Sequence, residues 1–456
     1  PICKGLLLNA FLFIAGIALA ALTPNFTFFI VARMLMGLAI GNSAVITPMY
    51  MAEVAPPETR GRILFMYQLS IVIGILISFI VGVLIDTFIT NIDVSWRVMI
   101  GCGLVPALIF LFGMLKMPDS PRWLIENEKF RVGHEVLLRM MGKQEARDTF
   151  TEIHQAAARQ TDVSASAIFS KMIFPVILLG FFLQFFQQST GINADMYFGP
   201  EIFREGGFDQ SASMWAQVAM GTVNLIATIV SIFMVDKLGR RKLMFIGLTG
   251  IIIMLCSQSY LFHKFDQEKV TTGEAVTSDP AGQRHVLPNT GQAVTHEGAS
   301  DASRFSQAKS DAALASSEVT DAATQVKQAA TGSSSKTTTY LIFASILLYI
   351  VCFAISAGPL CWLMISEVFP IRFRGIGMSV AVAANWLVDY VVSQLFPLMK
   401  QDLGMAVTTL IYAAFTTVGL ALAIKFLPET KGVPLEEIEE NIYAGKPLRE
   451  IGQPRG

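Results

Sequence analysis

The chain alternates between long apolar runs and short polar seams. Ten runs of mostly apolar residues lie at approximately 3–22, 27–51, 64–86, 97–116, 171–192, 213–235, 243–262, 339–361, 375–398 and 405–427. Roughly 20 such residues, at 1.5 Å each, cross about 30 Å of hydrocarbon. In lipid every backbone group must be satisfied internally, so runs of this length predict helices. Two stretches interrupt the rhythm. Residues 118–170 are charged and amphipathic, with segments such as RVGHEVLLRMMGK, and predict short helices outside the membrane. Residues 264–337 are rich in Ala, Ser, Thr, Gln and Gly with few aromatics. That composition cannot bury enough surface to offset chain entropy and predicts disorder.

Composition agrees with a membrane protein. Apolar residues make up 53% of the chain and charged residues 15%, against about 25% charged in a soluble domain. The formal net charge of −1 gives no electrostatic case for nucleic acid. The five cysteines, Cys3, Cys102, Cys256, Cys352 and Cys361, fall singly in apolar runs, which suits packing and neither a disulfide framework nor a metal site. No G-x-x-x-x-G-K-[ST] stretch occurs, so nucleotide-driven transport has no support. Nothing points to a cofactor, to a metal, or to an enzyme acting on its ligand.

Basic residues set the orientation. One set of seams carries Arg60 and Arg62, then Lys237, Arg240, Arg241 and Lys242, then Arg372 and Arg374, while residues 23–26 have none and 199–212 only Arg204. The basic side is expected to be cytoplasmic, together with both chain ends. A pattern E-V-x-P-x-x-x-R-G occurs at Glu53–Gly61 and again at Glu367–Gly375, each time after one span and before two more. Those pairs of spans end in PDSPRWL (118–124) and PETKGVPL (428–435). The halves therefore read as parallel repeats, as in transporters built from two related bundles. The second half has six spans with DKLGRRK (236–242) between its second and third; the first has four. The expectation is that two N-terminal helices and a first loop of this type are absent. The organisation expected is 1–117, an N-terminal bundle of four spans; 118–170, a helical cytoplasmic linker; 171–263 and 338–432, the two parts of a C-terminal bundle; 264–337, a non-cytoplasmic loop; and 433–456, a cytoplasmic tail.

The pieces RMLMGLAIG, AEVAPPETRG, PDSPRWL, QQSTGIN, DKLGRRK, GPLCWLMISEVFP and PETKG, in this order, resemble the sugar porter family of the major facilitator superfamily. The stretch FRGIGMSVAVAANWLVDYVVSQLFPLM is similar to that of bacterial xylose–proton symporters, and glucose facilitators belong to the same group. Asp119, where the family usually has Glu, and the 264–337 insert depart from the pattern. The resemblance implies an all-α membrane protein of two pseudo-symmetric helical bundles, embedded in the cell membrane. It also implies a monosaccharide as substrate, a hexose or pentose, with protons as a second partner.

A neutral polyol offers hydroxyls that both donate and accept, and side-chain amides match them without net charge. Unpaired in lipid, such amides would cost about 1–3 kcal/mol each, so mid-span amides need a reason. By resemblance Gln68, Gln187, Gln188, Asn193, Asn224, Trp362, Asn385 and Trp386 line a central sugar cavity, with Gln188 foremost. The alternative is interhelical bonding alone, which is worth roughly 0.6 kcal/mol per contact. Tyr197, one turn beyond Asn193, reads either as an outer gate or as an interfacial aromatic anchor. Glu53, Arg60, Asp119, Arg122, Asp236, Arg240, Arg241, Glu367, Arg374 and Glu429 fall at cytoplasmic helix ends. The family uses such residues as a charge network between bundles; topology signal and helix capping are the plainer reading.

Three further charges fall within or beside spans. Arg33 sits inside one, where a charge usually has a partner; in proton-coupled members that partner is an Asp of the first helix. Asp389, one turn after Asn385, can face the cavity, there to bind a sugar hydroxyl or to titrate. Asp195 lies about 200° around the helix from Asn193, which suggests a wet mouth. The function implied is a secondary transporter working by alternating access with proton coupling. Facilitated diffusion, a sugar sensor that does not transport, and an inactive fragment are the alternatives.

Overall fold

In the computed structural model the described residues are 2–54, 60–140, 142–158, 169–271, 276–278, 284–286, 336–370, 373–433 and 435–453. The first half comprises α1 (Ile2–Ala21), α2 (Phe26–Val54), α3 (Arg60–Phe88), α4 (Ile92–Gly101) and α5 (Leu104–Met114). Short helices α6 (Pro121–Glu126), α7 (Phe130–Met140) and α8 (Lys143–Ala158) follow. The second half comprises α9 (Phe174–Ser189), α10 (Ile192–Glu205), α11 (Gln210–Leu238), α12 (Arg240–Thr271), α13 (336–355), α14 (Ala357–Val368) and α15 (Arg374–Phe426), followed by α16 (Leu435–Tyr443) and a short 3-10 turn at Leu448–Glu450. The one described sheet is a two-stranded antiparallel ladder, Val276–Ser278 on Arg284–Val286.

Local chemistry sets the helix ends. Ser120 accepts from the Trp123 N–H at 3.3 Å and Pro121 takes the first helical position, so PDSPRWL is a capped start for α6. Asp209 caps α11, accepting from Ala212 N at 2.7 Å.

Eight described segments are long and apolar enough to cross a membrane, against the ten runs expected from the sequence. The difference has two local causes. The run 171–192 breaks after the 16-residue α9, and the runs 375–398 and 405–427 are joined in the 53-residue α15. At 1.5 Å per residue α15 would be about 80 Å long if straight. Gly404, with φ 80° and ψ 166°, interrupts it, so it is two helices meeting at a glycine that alone adopts such a turn freely. The apolar run expected at 243–262 also extends further, since α12 is helical to Thr271. Of the segment expected to be disordered, the end of α12, the ladder and the start of α13 are described; the remainder lies outside the described residues.

Within the first half α1 packs against α2, α4 and α5. Within the second, α15 packs on α9 and α12, and α10 on α11. The halves meet where α3 lies against α11 and α14, and α2 against α15. The largest core cluster lies mostly in the second half, around Phe203, Phe262, Tyr349 and Phe369, and takes in Phe65 from the first. Outward positions such as Phe11, Ile77, Phe233 and Ile253 are apolar and exposed, as lipid-facing positions should be. The linker helices form their own small core of Ile125, Leu137 and Ala146.

Candidate functional site: an amide-lined cavity between the halves

The site starts from a break in the chain. α9 ends at Ser189, and Gly191, with φ 84°, turns the backbone into α10. A Cβ here would come within 2.5 Å of the Tyr412 ring, so the turn needs glycine twice over. A second break lies opposite. Ser356, with φ −131° and ψ −97°, separates α13 from α14. Pro359 has no N–H to offer the Ile355 carbonyl, and the Ser231 hydroxyl donates to that carbonyl at 3.3 Å instead.

Gln184, Gln187 and Gln188 share one face of α9, and all three are buried. Gln187 Nε2 donates to the carbonyls of Ala357 (3.1 Å) and Gly358 (3.0 Å), so the two breaks are tied together. Asn385, on α15, is the hub. Its Nδ2 donates to Gln184 Oε1 at 2.7 Å and to Gln187 Oε1 at 2.6 Å, and its Oδ1 accepts from Gln188 Nε2 at 3.0 Å. Asn193 Nδ2 in turn donates to Gln188 Oε1 at 2.9 Å and to Asp389 Oδ1 at 2.7 Å.

These amides are not equal in what they have left to offer. A carboxamide has two N–H donors and two lone pairs. Asn385 and Asn193 each commit both donors inside the protein. Gln188 makes one donated and one accepted bond, leaving one N–H and one lone pair. It is only 7% exposed and faces a cavity of about 690 Å³. That volume falls within the roughly 300–1,000 Å³ of small-molecule sites.

Both halves line this cavity. Gln187, Gln188, Asn193, Tyr197, Asn224, Trp362, Asn385 and Trp386 come from the second half, and Gln68 from the first. All eight amide and indole positions singled out in the sequence, and Tyr197, therefore share one wall-to-wall space. Sequence reasoning missed Asn9, Ser43, Thr47 and Tyr67, which also line it. Asn9 Nδ2 donates to Ser43 Oγ at 3.1 Å, and Asn42 Nδ2 donates to Asn9 Oδ1 at 2.8 Å. A lone amide within α1 was the available signal. Gln184 was missed too, although its 184/187/188 spacing marks the same helix face.

Asp389 stands one layer behind the lining. It is buried, and besides Asn193 it accepts from the Tyr197 hydroxyl at 3.3 Å. Arg33, exposed on α2 of the opposite half, lies within electrostatic range of that hydroxyl. Asp195 does not sit at a wet mouth: it is 9% exposed. The turn at Gly191 points it into the second half, where Tyr412 packs on Gly191 and the Tyr349 hydroxyl donates to the Thr190 carbonyl at 3.0 Å.

At the basic end, Arg240 Nη2 and Glu367 Oε1 pair at 3.0 Å, and the Thr430 hydroxyl donates to Glu367 Oε2 at 2.6 Å. Glu429 accepts from the backbone N–H groups of Arg240 and Arg241 at 3.0 and 3.1 Å. Arg241 Nη2 donates to the Ile424 carbonyl at 2.9 Å. Asp119 Oδ1 accepts from Cys3 N at 3.2 Å, and Arg122 pairs with Glu126 one turn on at 3.0 Å. These bonds stay within one half. Arg374, at the start of α15, is partly buried. The side chains of Glu53, Arg60 and Asp236 lie outside the described residues.

With this geometry in view, the chain can be placed among known proteins. The "Sugar (and other) transporter" family model matches residues 2–277 and 319–442, so the chain belongs to that family. The galactose–proton symporter of Escherichia coli K12 is 32% identical over 453 residues, covering 98% of this chain and 82% of the symporter. The major myo-inositol transporter of Bacillus subtilis is 30% identical, covering 97% and 80%. A solved structure of a proton:xylose symporter of the major facilitator superfamily, bound to 6-bromo-6-deoxy-D-glucose, superposes with a TM-score of 0.69 at 25% identity, covering 98% of this chain and 82% of that one. The inward-open xylose transporter of E. coli gives 0.65 at 25% identity, covering 96% and 82%. The chain is thus a predominantly helical, multi-pass membrane protein with the major facilitator fold, a sugar transporter and not an enzyme. The family match skips residues 278–318, within the insert expected from the sequence.

Proposed function

We propose that the protein carries a monosaccharide, a hexose or pentose, through the cavity between its halves by alternating access, driven by proton symport. The observation that carries the reading is the amide cluster Gln187–Gln188–Asn193–Asn385, hydrogen-bonded within itself and turned into a cavity lined by both halves. Such a site replaces a sugar's water without introducing net charge. Gln188 supplies the free N–H and lone pair that a hydroxyl needs. Asn385 and Gln187 hold it in place, so little ordering is left for the moment of binding. Trp362 and Trp386 offer aromatic faces for the sugar's C–H surface, and Gln68 and Asn224 complete the polar ring. Tyr197 serves as the outer gate.

Asp389 is the proposed proton carrier of this chain, with Arg33 as the charge from the opposite half that senses its state through Tyr197. The support is connectivity: one carboxylate touches both a sugar-site amide and the gate hydroxyl. The charges at the basic helix ends bias the balance between the two states of the cycle, on the cytoplasmic side, and the ten apolar runs are proposed as ten membrane crossings. Two relatives support the proton reading, since a galactose–proton symporter and a proton:xylose symporter share the fold.

The test is uptake of labelled galactose, xylose and glucose into transporter-deficient cells, with and without a protonophore. Uptake that the protonophore abolishes supports symport. Protonophore-resistant uptake replaces symport by facilitated diffusion. Absence of uptake by folded protein that still binds sugar would favour a sensor.

A further inference from the structure

A second pocket, of about 210 Å³, lies within the second half, away from the space between the halves. Its walls are Leu179, Leu183, Phe186, Leu248, Ala423 and Phe426 with other apolar residues, and Gln187 brings the single amide. Both N–H groups of that amide and one of its lone pairs are engaged by Ala357, Gly358 and Asn385, so it leaves one lone pair, fewer than the two or more partners a buried water needs. Apolar cavities of this kind stay dry, and left empty they forfeit packing. Its rim includes Leu178 and Phe426, 38% and 36% exposed, so hydrocarbon can enter from the side.

Hydrocarbon alone gains little by leaving a bilayer for a protein pocket. Selectivity has to come from the rim, and the rim is basic. Arg241 Nη2 donates to the Ile424 carbonyl, two residues before Phe426, while its buried Nε has no hydrogen-bond partner. Lys425 Nζ lies 5.0 Å from the Phe426 ring centroid. Arg449 follows Leu448, a lining residue, and is within electrostatic range of Arg241. Two like charges are therefore brought together, with Glu429 as the carboxylate within electrostatic range of Arg241. Glu429 is engaged with the N–H groups of Arg240, Arg241 and Lys431, and Glu450 is exposed beside Arg449.

We propose that this pocket and its basic rim bind one anionic phospholipid, from the leaflet that meets the basic loops, with an acyl chain between α9 and the end of α15 and the phosphate at Arg241, Lys425 and Arg449. Because Gln187 lines both this pocket and the larger cavity, the bound chain forms the back wall of the amide cluster.

The experiment is native mass spectrometry of the full chain, delipidated in detergent and then exposed to equimolar phosphatidylglycerol and phosphatidylcholine. The wild type should retain one phosphatidylglycerol at about fivefold preference or more, since each basic residue at an anionic surface contributes about that factor. Lys425→Gln with Arg449→Gln should bring the preference to near one. Ala423→Phe, which fills the pocket, should abolish retention of either lipid; Leu178→Trp, at the rim, serves in its place if the first variant does not keep the wild-type melting profile. Equal retention of both lipids by the wild type overturns the proposal. So does undiminished phosphatidylglycerol on a folded, filled-pocket variant, which would leave only surface attraction. Displacement of the lipid by millimolar inorganic phosphate would reduce the site to a free-anion site and equally overturn it.

Discussion

Asn193 Nδ2 donates to Asp389 Oδ1 at 2.7 Å, so an amide on the cavity wall is bonded directly to a buried carboxylate. The same amide nitrogen also donates to Gln188 Oε1. Protonating Asp389 removes the charge that strengthens the first bond and leaves Asn193 free to favour Gln188 or a sugar hydroxyl. In the proposed symport cycle a proton would in this way change sugar affinity without touching the sugar.

Asp389→Asn tests this directly. The amide can still accept from Asn193 and Tyr197 but cannot titrate. Uptake should lose its dependence on the proton gradient, while exchange of labelled for unlabelled sugar at equilibrium persists. Exchange and accumulation lost together, in a folded variant, would make Asp389 a sugar ligand or a structural group instead.

Gln188 and Asn385 should fail differently. Gln188→Ala removes a cavity-facing amide with one unused N–H and one unused lone pair and should weaken sugar binding by about 1–3 kcal/mol, roughly fivefold to 150-fold, with a smaller effect on melting than the loss of Asn385. Asn385→Ala strands Gln184, Gln187 and Gln188 at once. It should lower the melting temperature as well as the affinity. Thermal melts with and without saturating sugar separate the two.

Much of this was visible in the sequence, and the misses have physical causes. The amides were legible because a polar side chain in a 20-residue apolar run is conspicuous, and helical periodicity put Tyr197 on the face of Asn193. The break at Thr190–Gly191 was not legible, since the apolar run continues through it, and the left-handed backbone and the tight approach of Tyr412 that demand the glycine exist only in the fold. Asp195 was misplaced for another reason: it does lie across α10 from Asn193, but the fold packs that far face into the second half and not against a wet mouth. Asn9 stood alone in its run, with Ser43 and Asn42 more than thirty residues away supplying its bonds. The partners of the basic motifs were also out of reach. The sequence places Arg240 and Glu367 at helix ends, but only packing shows that they pair within one half.

That pair makes a separate prediction. Arg240 and Glu367 are 13% and 17% exposed at their side chains, so breaking the pair leaves a partly buried charge. Arg240→Gln should destabilise the second half by about 1–3 kcal/mol, below the cost of a fully buried pair. Arg240→Gln with Glu367→Gln should recover part of it. A double-mutant cycle on melting free energies gives the coupling, and a value near zero would make these residues topology signals only.

Gly191→Ala should be worse than its size suggests. The added methyl meets the Tyr412 ring, and the backbone at φ 84° disfavours any Cβ. The expected loss is at least about 1–2 kcal/mol. Tyr412→Ala in the same chain relieves the clash but not the backbone cost, so rescue should be partial. Full rescue would mean that the turn itself is indifferent to the residue.

The central claim, that the amide-lined cavity binds the transported sugar through Gln188, is tested most directly by titrating purified protein with galactose, xylose and glucose while following tryptophan fluorescence. Trp362 and Trp386 line the cavity and report from within it. A saturable change with one of these sugars, weakened about fivefold or more in Gln188→Ala, is the predicted result. A saturable change with unaltered affinity in that variant would contradict the account and move the sugar site elsewhere.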